Sequence, residues 1–114
     1  MADNIVYVNI EEGVKRLMNN TGLYAKLLNK FKEDTRLNEL EAALNAGDLE
    51  KAKTAVHTLK GLAANLALTE LHKQSIEIEA QIKAGQVNPG QINIVKNVYS
   101  QTLEEVDKVI KQYA

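Results

Sequence analysis

Between two turn sequences, Ala46-Gly47-Asp48 and Ala67-Leu68-Thr69, the chain places Leu49, Ala52, Val56, Leu59, Ala63 and Leu66 at alternating steps of three and four residues. A strand buries every second residue, so no strand can collect these side chains on one face. A helix collects all of them in a single stripe. The segment therefore folds as an amphipathic helix, and it needs apolar helical or sheet faces to cover it.

The rest of the chain supplies helices. Asn9 is suited to cap a short helix over 10–19, with Glu11 and Glu12 in a first turn where the helix dipole favours anions. Asn19-Asn20-Thr21-Gly22 breaks it. A long helix over 22–45 follows, carrying Leu23, Tyr24, Leu27, Leu28, Phe31, Leu37, Leu40 and Leu44. Its pattern slackens over Glu33 to Arg36, where a bend or a change of face is expected. Gly47 suits a left-handed helix end and Asp48 an N-cap for the helix over 49–66. Thr69 is the expected N-cap of a helix over 70–84 that turns Leu71, Ser75, Ile78 and Ile82 inward. Gly85 and Asn88-Pro89-Gly90 make the next turn. The last helix, 91–113, has Ile92, Val95, Tyr99, Thr102, Val106, Val109 and Tyr113 on its stripe. Residues 1–8 form a short lead-in. Short links force neighbouring helices antiparallel. The expected fold is all-α: an antiparallel up-down-up-down four-helix bundle with a short extra N-terminal helix, forming one domain over 1–114.

Composition narrows the function. With 114 residues, 45% of them apolar, one core can form. The core is aliphatic, because Phe31 and four tyrosines are the only aromatics. A net charge of −1, with 25% charged residues of mixed sign, argues against a nucleic-acid surface. No run of 18 apolar residues is present, so no membrane span is expected. The opening Met1-Ala2-Asp3-Asn4-Ile5 lacks the basic start and apolar run of a signal peptide, and a cytoplasmic location is expected. Absence of cysteine excludes disulfides and thiolate metal sites. No glycine-rich phosphate loop or nucleotide fingerprint occurs, so no cofactor, ATP binding or kinase activity of its own is expected.

One histidine stands in a distinctive setting. His57 follows Val56 at the edge of the apolar stripe. Lys60 and Gly61 lie at i+3 and i+4 on the same side, and Ala64 continues that side one turn on. A glycine inside a helix costs about 1 kcal/mol relative to alanine, and close approach of another surface is the usual reason for keeping one. The turn after this helix is centred on Leu68. His57 lies eleven residues before it and Glu79 eleven after it, so an antiparallel pair sets them face to face. A carboxylate accepting the Nδ1 proton leaves Nε2 free as a nucleophile. Lys60 is placed to help neutralise charge on a phosphoryl group. His72, near a helix start among charged residues, is read as exposed and inert.

The run His57-Thr58-Leu59-Lys60-Gly61, with Ala64-Asn65-Leu66, Leu71 and Ile78-Glu79, closely resembles a histidine-containing phosphotransfer (HPt) domain of two-component phosphorelays. Ile10 to Val14 and Leu23 to Phe31 also look like that family's N-terminal pattern. The resemblance implies that His57 accepts a phosphoryl group and Lys60 lies beside it. It also implies that Glu79 orients the imidazole and that Gly61, with Ala64, leaves room for a receiver domain to dock. Implied partners are a response-regulator receiver domain and a hybrid histidine kinase, and a monomer is implied. Ala67 departs from the family's usual glycine, and Ser75 stands where a small residue, often cysteine, is usual. Two other readings are a non-catalytic helical scaffold and a helical phosphocarrier of a sugar-uptake system. A di-iron bundle needs Glu-x-x-His pairs, and here Thr54 and Thr69 occupy that offset. A histidine-kinase dimerisation helix would follow its histidine with an acid and soon a proline, where this chain has Thr58 and Leu62.

Overall fold

The computed structural model describes residues 5–113, so Met1 to Asn4 of the expected lead-in lie outside the described residues. Six helices follow in order: α1 (Ile10–Arg16), α2 (Thr21–Phe31), α3 (Arg36–Asn45), α4 (Leu49–Asn65), α5 (Thr69–Lys83) and α6 (Gln91–Tyr113). No strand occurs among the described residues. The architecture is the all-helical antiparallel bundle, in which α2 and α3 together make one of four members. α3 packs on α4, α4 on α5, α5 on α6, and α6 returns to α2, with the short α1 against α2.

The long helix expected over 22–45 is divided. The chain leaves α2 through bonds from Glu33 N to Lys30 O and from Asp34 N to Phe31 O, three residues apart, and re-enters a helix at Arg36. No apolar side chain lies between Phe31 and Leu37, so nothing in that stretch anchors a helical turn to the core. The side chain of Thr35 makes no capping bond to α3, and its hydroxyl donates instead to the Glu39 carboxylate at 2.8 Å. The first helix is also shorter than expected. It ends at Arg16, because Met18 and Asn19 take positive φ values of 56° and 65°. Thr69 is the first residue of α5 rather than its cap, which is the apolar, buried Leu68. Side-chain caps form where Asn9, Asn20 and Asp48 each accept from a backbone N–H three residues on, at 3.2, 2.9 and 3.1 Å.

Four helices close with the same left-handed turn, the first being α1, where Met18 N bonds Lys15 O and Asn19 N bonds Val14 O. After α3, Gly47 N bonds Leu44 O and Asp48 N bonds Ala43 O. After α5, Gly85 and Gln86 repeat the arrangement with Ile82 and Gln81. After α4 the pair is Ala67 N to Ala64 O and Leu68 N to Ala63 O, but here the left-handed residue, at φ 56°, is an alanine. Glycine takes that conformation freely, whereas an L side chain there costs about 1–2 kcal/mol. The departure at Ala67 is therefore one of backbone conformation as well as size. Its surroundings hold it in place. Tyr24 is fully buried and donates its hydroxyl to Leu66 O at 2.7 Å, Asn9 N donates to Ala67 O at 2.9 Å, and Leu66 and Leu68 are buried. Burial first, then Glu12 and Tyr113, push the Tyr24 hydroxyl up to about 12, so it stays a donor near neutral pH.

Gly13 closes this corner. It is buried on α1, and a Cβ added there would overlap the Tyr24 ring. The α1 backbone thus comes against an aromatic ring that is fully buried and held at its hydroxyl.

Candidate functional site

α4 and α5 are neighbours joined by a three-residue link, and they set the candidate side chains. Val56 and Leu59 are fully buried, which fixes the rotation of α4 and turns the positions between them outward. His57 is such a position, and its side chain is 74% exposed. On α5, Ile78 and Ile82 are buried and Glu79 beside them is also buried, its side chain only 6% exposed.

The structure brings His57, Lys60 and Glu79 together. Lys60 Nζ donates to Glu79 Oε1 at 2.6 Å, a short charge-assisted hydrogen bond. His57 Nδ1 faces the other oxygen, Oε2, at 3.5 Å, an ion-pair distance at the outer limit of hydrogen bonding. The Lys60 bond, chiefly, holds the Glu79 carboxyl below its ordinary value of 4.5, with Lys83 and His57 helping and burial opposing. A carboxylate depressed in the folded state stabilises the fold fully above its unfolded value. That contribution disappears as pH falls through the lower folded value. Melting at pH 6 and pH 3 should therefore show a larger acid loss in the wild type than in Glu79→Gln, whose amide does not titrate. Equal acid losses in the two proteins would contradict this assignment.

Lys60 thus has its ammonium on a buried acid rather than reaching freely past the imidazole. Gly61 is exposed, and a Cβ built there meets nothing within 4 Å. No contact within the fold requires glycine at this place. Ala64 is half-buried on the same side of α4. His72 is half-buried, not exposed, in the first turn of α5, away from this constellation.

An open hollow of about 490 Å³ lies against the imidazole, between α4 and α5. His57, Thr54, Thr58 and Glu79 line it together with Lys53 and Lys83. The sequence reading missed both lysines. Their spacing carried the signal, because Lys53 stands one turn before His57 and Lys83 one turn after Glu79. Among the described residues no group of three or more His, Asp, Glu or Cys side chains could hold a metal ion. No helix among them is long and apolar enough to cross a membrane.

A family profile described as Hpt domain matches residues 26–111, which includes α3, α4, α5 and most of α2 and α6. Comparison with curated proteins and with solved structures gives no match.

Proposed function

Because the chain belongs to the histidine-containing phosphotransfer (Hpt) family, whose members relay phosphoryl groups through phosphorelays with histidine kinases and response regulators, we propose that His57 is the residue phosphorylated. In this reading the group is exchanged with an aspartate of a receiver domain. The observation that carries the reading is an exposed imidazole whose Nδ1 faces a buried carboxylate, which leaves Nε2 toward solvent.

The chemistry follows from that polarity. With the proton on Nδ1, Nε2 holds a lone pair that attacks the phosphorus of an aspartyl phosphate. The P–O bond to the aspartate breaks and its electron pair leaves with the carboxylate. The product is an imidazolium carrying phosphorus on Nε2 and the proton still on Nδ1. Glu79 stabilises that positive charge. In reverse, a receiver carboxylate attacks phosphorus, the P–Nε2 pair returns to the ring, and a neutral imidazole departs. The Nδ1 proton never moves, so the step needs no base beyond the ring. Lys60 contributes by fixing Glu79 in its ionised form and by adding positive charge at the edge of the site.

Gly61 and Ala64 serve docking in this proposal. They keep the α4 surface beyond the ring low, so a receiver can bring its aspartate to within bonding distance of Nε2. This agrees with a glycine for which the fold itself gives no packing reason.

The test mixes the protein with a receiver domain carrying an aspartyl phosphate and measures acid-labile label. Wild type should acquire label on His57. Glu79→Gln keeps the shape but removes the negative charge, and should slow the transfer roughly tenfold without stopping it. Failure of the wild type to take label from any receiver would overturn the proposal. An unaltered rate in Glu79→Gln would remove the carboxylate from the mechanism.

A further inference from the structure

Lys60 is a poor candidate for direct contact with a phosphoryl group. Its ammonium is bonded at 2.6 Å to a carboxylate that is 6% exposed. Drawing it away would leave that acid buried without its strongest partner, next to a newly arrived anion. Burial and like-charge repulsion would both oppose the move.

Two other ammonium groups have no such tie. Lys53 and Lys83 are both exposed, and neither forms an ion pair among the described residues. Each lies fifteen residues from Leu68, so the antiparallel pairing of α4 with α5 brings them to one level. Both line the hollow beside His57. Helical side chains lean toward the N-terminus of their own helix. The imidazole therefore leans over the Lys53–Thr54 turn, and Lys83 leans back toward Glu79. Glu50 stands at the same hollow and Glu79 in its wall, but Glu79 is already neutralised by Lys60.

Building on the proposed phosphorylation of His57, we propose that Lys53 and Lys83, rather than Lys60, are the cations that contact the phosphoryl group on Nε2. The group sits over the hollow on the Lys53–Thr54 side of the ring. Lys60 is then a positioning residue that acts through Glu79, and the two sets of charges have separate tasks.

The test uses phosphoramidate, a small phosphodonor that needs no receiver surface, and follows phosphohistidine by its phosphorus resonance. Lys53→Met and Lys83→Met should each slow labelling about three- to tenfold, and the double variant more than either. Lys53→Arg with Lys83→Arg retains both charges and should label at close to the wild-type rate, which a general loss of folding would not allow. Lys60→Met should slow labelling less than the double Met variant does. A double Met variant that labels as fast as wild type, or a larger loss in Lys60→Met, would overturn the assignment of these lysines and leave phosphorylation of His57 standing. Failure of the wild type to label under any donor would remove both.

Discussion

Replacing His57 with glutamine abolishes acid-labile label and leaves the helical spectrum and melting temperature close to those of wild type. The two halves of this expectation come from different observations. Label depends on a ring nitrogen, which glutamine lacks, so the loss should exceed about a hundredfold and reach the background of the assay. Stability depends on burial and bonding, of which His57 has little. Its side chain is 74% exposed and its ion-pair partner, Glu79, is 3.5 Å away. Surface substitutions of this kind usually change stability by about 0.5 kcal/mol or less. The chain has two histidines, so the experiment carries its own control. His72 is half-buried and apart from the acid–lysine pair, and it should take no label in either protein. Label that persists at His72 in His57→Gln would displace the site.

The second large effect concerns stability and sets two glycines against each other. Gly13→Ala should destabilise the protein by about 2 kcal/mol net, lowering the melting temperature by roughly 10 °C. The added methyl group overlaps the ring of Tyr24. That ring cannot retreat, because the side chain is fully buried and its hydroxyl is bonded to Leu66 O. Either the core shifts or α1 lifts away, and both costs exceed the gain in helix propensity, about 1 kcal/mol for glycine to alanine. Gly61→Ala has the same gain with no clash to oppose it. It should stabilise the protein by up to about 1 kcal/mol. Thermal melts of the two variants beside wild type decide the matter. Equal shifts in one direction would refute the packing argument at Gly13.

These two glycines also show what a sequence discloses. Periodicity located the four members of the bundle, since stripes such as Val56-Leu59-Ala63 depend only on local spacing. The mirror relation about Leu68 set His57 opposite Glu79, because a short link leaves two helices little choice of register. Features that depend on which faces meet were harder to read. Nothing in Ile10 to Arg16 says that a tyrosine eleven residues after Gly13 will lie against it. The left-handed backbone at Ala67 was marked only by the glycine usual there in the family it resembles, and the bonds that hold it come from Tyr24 and Asn9, in distant parts of the chain. The division of the 22–45 helix was visible only as a slack stretch, since polar residues fit an exposed helix and a break equally well. Lys60 was readable as a neighbour of His57, yet its bond to Glu79 depends on the depth of that acid, which no spacing encodes.

The interruption at 32–35 has a mechanical consequence for α4. The two rods on either side of it attach to different neighbours, α3 to α4 and α2 to α6. A protein pressing on the imidazole therefore pushes through α4 into α3, across the covalent joint into α2, and round to α6. The helix that receives the visitor is backed by a closed hoop, and the recoil at His57 is shared by the whole circumference.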